Sequence, residues 1–152
     1  EAWHFVGVQV VQKEAFAHLD DGVAIDSVGT LYREYLRTRP GAVRAFRTWG
    51  RFIDVGRPAD YLATALLLAT EPGSGPLLDP VADVAETAEV SECIVWPGAR
   101  IGAGCRLHRC IVTDVRVPEG LAADHACLVP AVGLTPRPGD RVVGDCLVTP
   151  FA

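Results

Sequence analysis

The 152-residue chain has no methionine and no apolar run near the ~20 residues that a membrane-spanning helix needs. It also has no cluster of basic residues. Lys and Arg total 14 against 19 Asp and Glu, for a formal net charge of -5. That balance argues against a nucleic-acid surface. Residues 1–11 are apolar but lack the basic start of a secretory signal, so they are not read as one. There is no CxxC pair. The five cysteines, at 93, 105, 110, 127 and 146, are odd in number and irregularly spaced. This excludes a disulfide framework and a cysteine-based zinc site as the first reading. They read instead as small apolar side chains in a reducing cytoplasm. A small anionic ligand stays compatible with the acidic balance, because a helix N-terminus or a bound cation can hold phosphate.

What is present is ordinary for a globular protein: 49% hydrophobic and 22% charged residues. "HFVGVQVV", residues 4–11, is a near-continuous β-branched run and predicts a strand buried on both faces. A strand at the very start predicts that the chain begins partway through a larger protein. "KEAFAHL" predicts a short helix. "DSVGTLYREYLRTRPG" predicts a stronger one, capped by Asp26 or Ser27 and stopped by Pro40-Gly41, with Val28, Leu31, Tyr35 and either Tyr32 or Leu36 on one face. "AVRAF" and "RFIDV" predict two further extended pieces. Pro58 stands where the first turn of a helix tolerates it, and "ADYLATALLLAT" continues the helix. Alternating strands and helices predict α/β packing over residues 1–70. "EPGSGP", residues 71–76, opens a linker that runs to 83.

The period then changes. Val84, Val90, Val95, Ile101 and Leu107 recur at steps of 6, 5, 6 and 6, separated by small and turn residues. That spacing matches neither a helix nor a plain strand. It predicts a parallel β-helix over 84–130, with one inward aliphatic residue per side of the coil. The recognisable repeats account for one coil, or two with "VTDVRVPEG". So short a β-helix must lean on the first part or on another subunit. The tail, 131–152, is Pro-rich with two short apolar strands, and packs on the coil or closes its end.

This order of parts, "WHFVGVQVV", "LYREYL", "GRFIDVGRPADYL" and then hexapeptides, resembles the C-terminal part of sugar-1-phosphate nucleotidyltransferases. The mannose-1-phosphate guanylyltransferases look most similar. In that family a W-x-D-[IV]-G-T-P-x-D-Y element precedes a helix, and a left-handed β-helix follows. Here Phe52 stands for the tryptophan and Arg57 for the threonine. The resemblance implies the C-terminal part of a Rossmann-like nucleotidyltransferase domain followed by a short left-handed parallel β-helix. It implies an enzyme that joins a nucleoside triphosphate to a sugar-1-phosphate and releases pyrophosphate. The glycine-rich nucleotide loop and Pro-Lys of the family are not found, so the nucleotide-binding half is expected from a missing N-terminal part, and this chain alone is expected to be inactive.

By the same resemblance, Asp54 supplies one carboxylate to a catalytic Mg2+, and Phe5, Val6 and Gly7 line the sugar pocket. Asp60, in the first helical turn, reads as structural, because a negative charge there favours the helix. His108 supports an alternative, a hexapeptide acyltransferase with a histidine general base. A third reading is a non-catalytic assembly or regulatory module that forms homo-oligomers through the β-helix, independently of Asp54.

Overall fold

The computed structural model describes residues 3–151. They divide into two compact units, Glu1–Phe52 and Ile53–Ala152.

In the first unit a 3-10 turn, Lys13–Phe16, precedes a π-helical stretch, Ser27–Tyr32, that runs directly into α1, Arg33–Thr38. Asp26 caps this helix as expected. Its Oδ1 accepts from the amides of Val28 at 3.0 Å and Gly29 at 2.9 Å. The helix ends before Pro40, and Gly41 follows at φ +83°. Leu31 is buried and Tyr35 half-buried, with the Tyr35 hydroxyl donating to the Ala15 carbonyl at 2.7 Å. Val28 and Leu36, expected on the same face, are exposed.

The expected strands at 4–11 and 42–46 do not form. No described residue of this unit belongs to a β-ladder. Gly7 turns the chain at φ +79°, and Val8 and Val10 are 75% and 100% exposed. Strand-like composition makes a strand only when a neighbour takes up the backbone N–H and C=O groups. Here the neighbouring contacts are made by rings instead. Trp3 meets Trp49 edge-on at 5.4 Å, His4 lies 5.1 Å from Phe52, and the Arg47 guanidinium sits 5.2 Å from the Trp3 ring. The Rossmann-like sheet expected over residues 1–70 is therefore not built by these residues.

The second unit opens with α2, Pro58–Leu68, which has Pro58 at its first position and Asp60 in its first turn. Asp60 accepts two hydrogen bonds at 3.2 Å from the Arg57 guanidinium, so its structural role is that of a local ion pair.

Nine short parallel strands follow: β1 (Asp83–Val84), β2 (Glu89–Ser91), β3 (Ile94–Val95), β4 (Arg100–Ile101), β5 (Arg106–His108), β6 (Ile111–Val112), β7 (Arg116–Val117), β8 (Ala122–Asp124) and β9 (Ala126–Pro130). They pair as β1-β4-β7, β2-β5-β8 and β3-β6-β9, the three sides of a β-helix with three coils rather than one or two. Val84 lies opposite Ile101 and Ile101 opposite Val117. Val90, Leu107 and Ala123 align on the second side, and Val95, Val112 and Leu128 on the third. These residues are the inward ladder that the six- and five-residue steps predicted.

Two positions before them runs a second inward column, in which small residues recur. Ala99, Cys105, Cys110 and Ala126 are all 2% exposed or less. This explains four of the five cysteines. Cys93, Cys105 and Cys110 fill the narrow inner corners, and Cys146 packs against the same core from the C-terminal strand. Burial pushes the Cys146 thiol up to about 11, in keeping with an inert core residue. Where coils approach most closely only glycine fits: a Cβ on Gly102 would lie 2.8 Å from the backbone nitrogen of Glu119.

The tail closes this end of the third sheet. β10 (Arg141–Val143) and β11 (Cys146–Pro150) form a hairpin, with Gly144 first in its two-residue turn at φ +58°. β11 pairs antiparallel with β9 over five residues. The opposite face of that sheet presents Ile94, Ile111 and Cys127 outward, and α2 covers them with Leu62, Ala65 and Leu66. α2 therefore belongs structurally with the β-helix, and the division falls after Phe52 rather than in the 71–83 linker.

Candidate functional site

The outer face of β2-β5-β8 gathers the chemistry. Outward residues form two columns across the coils, Glu89–Arg106–Ala122 and Ser91–His108–Asp124. They line a shallow groove of about 390 Å3. At the adjoining corner Glu92, Arg109 and His125 take up the left-handed backbone at φ 50°, 51° and 46°. A left-handed residue turns the chain so that its side chain joins the outward set instead of alternating inward. The Arg109 guanidinium donates to Glu92 at 2.7 Å, and the ion pair holds the Glu92 carboxyl below the usual range.

Asp124 is the centre of the cluster. Its Oδ1 lies 2.8 Å from Nδ1 of His108 and 3.1 Å from Nδ1 of His125. Hydrogen bonding to His108 and then to His125 holds the Asp124 carboxyl below the usual carboxylate range. An ionised carboxylate only accepts, so the facing imidazole nitrogen carries a proton; in the neutral form of the ring Nε2 is then the acceptor. The two imidazoles meet edge-on at 5.9 Å, and Phe151 stacks edge-on against His125 at 6.5 Å.

The residues predicted from sequence lie elsewhere. Asp54 is exposed in the extended segment that leads into α2, four residues before Pro58. Phe5 is exposed, Val6 half-buried, and Gly7 bends the chain, all within the first unit. A Cβ on Gly7 would meet nothing within 4 Å, so among the described residues the glycine is required by its φ and not by close approach. Of the present cluster only His108 was legible. Asp124 and His125 join it because the coil register brings residue 124 opposite residue 108. That register is readable only once the coil length is known.

Residues 74–125 are similar to the GlmU-like, C-terminal hexapeptide family, a stretch that covers less than half of the chain. A search of curated proteins finds no match to the chain. The matched segment spans most of the three coils, and its repeats are hexapeptide repeats wound as a parallel β-helix.

Proposed function

We propose that the chain is part of a sugar-1-phosphate nucleotidyltransferase that forms a nucleoside-diphosphate sugar, of the GDP-mannose class, in the cytoplasm. The observation that carries this reading is the order Phe52-Ile53-Asp54-Val55-Gly56-Arg57-Pro58, then α2, then a hexapeptide β-helix on which α2 is packed. The helix anchors the Asp54 segment to a rigid coil. Asp54 is an exposed hard-oxygen donor. Those properties fit Mg2+, which binds through one or two carboxylates and retains waters for substrate phosphates. When bound, the ion would neutralise charge on the transferring phosphoryl oxygens. Asp54 would hold one edge of it, and a second aspartate, with the nucleotide loop, would come from the other half of the same enzyme. Phe5, Val6 and Gly7 would border the sugar.

The test uses the full-length protein that contains these residues. Asp54→Asn is expected to lower turnover of nucleoside triphosphate and sugar-1-phosphate by roughly 10²-fold or more, with an unchanged melting temperature. Unchanged turnover overturns the assignment. The 152-residue chain alone is expected to release no pyrophosphate from the same substrates.

One observation favours a second reading. Asp124 orients His108 beside an open groove, the arrangement of a general base for acyl transfer. That reading requires the chain to bind an acyl-coenzyme A. Calorimetry with acetyl-coenzyme A decides it: heat of binding that is lost in His108→Gln supports acyl transfer, and no heat removes it.

A further inference from the structure

We propose that His108, Asp124 and His125 form a binding site for a divalent transition metal of the zinc class. The site is independent of Asp54 and of the nucleotidyl-transfer reading.

Three donor atoms converge at one corner of the β-helix, two imidazole nitrogens and a carboxylate oxygen. Nδ1 of His108 and Nδ1 of His125 stand 2.8 and 3.1 Å from the same Asp124 oxygen. A tetrahedral ion with bonds of about 2.0–2.1 Å holds its donors about 3.3–3.4 Å apart. The two histidine–Asp124 separations need open by only a few tenths of an ångström to admit one, and all three donor atoms already lie within 4.8 Å of one another. Ligation through Nδ1 would require each neutral ring to shift its single proton from Nδ1 to Nε2 by exchange with water, leaving Asp124 ionised and both Nδ1 atoms free to bind.

The backbone holds this arrangement in place. Asp124 and His125 are consecutive, and in a regular strand their side chains would oppose one another. The left-handed turn at His125, φ 46°, brings them together. The turn is pinned on both sides: the His125 amide donates to the His108 carbonyl at 3.1 Å, and its carbonyl accepts from the Phe151 amide at 2.8 Å. His108 arrives from the adjacent coil by the β5–β8 register. Arg109, next to His108 in the chain, is already paired with Glu92 at 2.7 Å.

The donor set selects the ion. Two imidazoles and one carboxylate suit zinc, copper, nickel or cobalt and are poor ligands for magnesium and calcium. Three protein ligands leave a fourth position, on the side of the groove lined by Ser91 and Arg106, open to water or an anion.

The purified 152-residue chain, stripped with a chelator, is titrated with Zn2+ against a chromophoric competitor, and with Co2+ for its ligand spectrum. One equivalent bound without thiolate-to-cobalt bands is expected. His125→Asn keeps a residue that tolerates the left-handed backbone and removes the imidazole. His108→Gln does the same job from β5. Each is expected to weaken zinc by at least the roughly 10–100-fold that loss of a ligand's supporting partner causes, with the metal-free melting temperature unchanged. The site is overturned if zinc does not bind stoichiometrically, if thiolate bands appear, or if both variants bind zinc as tightly as the unaltered chain. Zinc binding also displaces the Asp124–His108 hydrogen bond, so it separates this role from that of an acyl-transfer base. A chain that binds acetyl-coenzyme A but no zinc favours the base.

Discussion

Leu128→Ala is expected to destabilise the β-helix unit by about 2–5 kcal/mol, the range for deleting most of a fully enclosed leucine. Leu128 is 0% exposed. It stands in β9 with β6 on one side and β11 on the other, opposite Val112 in the first ladder and Val148 in the second. Both partners are also buried, at 0% and 1%. Each belongs to a strand fixed by ladder hydrogen bonds, so the walls of the new cavity cannot fall inward, and the cost belongs at the upper part of the range. Denaturant unfolding of the chain measures it. Val132→Ala serves as the control, since Val132 is 85% exposed and a substitution there should stay within about 0.5 kcal/mol. A loss at Leu128 no larger than the control's would mean that the three coils do not share one packed interior.

Leu128 also shows how far the sequence can be read. The inward ladder is legible wherever an aliphatic residue recurs at steps of five or six, from Val84 through Leu107. It fades at Ala123, an inward position occupied by a small residue, and the end of the 84–130 segment is then not recognisable as a third coil. The register pairs Val84 with Ile101 and Ile101 with Val117, so successive coils differ in length by one residue and no single period describes them. The first unit failed for a different reason. Residues 4–11 have the composition of a buried strand, but a strand is a property of two segments, and no described partner pairs with them. The same logic governs the candidate site. His108 stands out alone, whereas Asp124 and His125 acquire meaning only through the coil that stacks them on it. The cysteines were legible as small apolar residues because corner positions ask only for size.

The second large effect is expected at the joint between helix and coil. Leu62→Ala should release α2 from the β-helix while leaving the coils intact. An eleven-residue helix is marginal in water by itself, so its stability comes from what it packs against. Leu62 is the helix residue most deeply buried, at 4% exposure, and it packs with Ile94 and Ile111, which are 6% and 5% exposed. Leu67 and Leu68 cannot substitute for it, being 48% and 40% exposed, and Ala65 and Leu66, which pack on the same cluster, are only partly buried. Removing the Leu62 side chain should cost about 2–5 kcal/mol, more than the docked helix can lose and remain seated. The interior of the coils is a separate cluster that Leu62 does not enter. Hydrogen exchange therefore resolves two outcomes. Amides of residues 58–68 exchanging near the unprotected rate, with β4–β7 amides still protected, mean that the helix is a locally unfolding unit whose docking depends on Leu62. Equal loss of protection in both means that the β-helix needs its helix, and that covering Ile94 and Ile111 is a condition for winding the three coils.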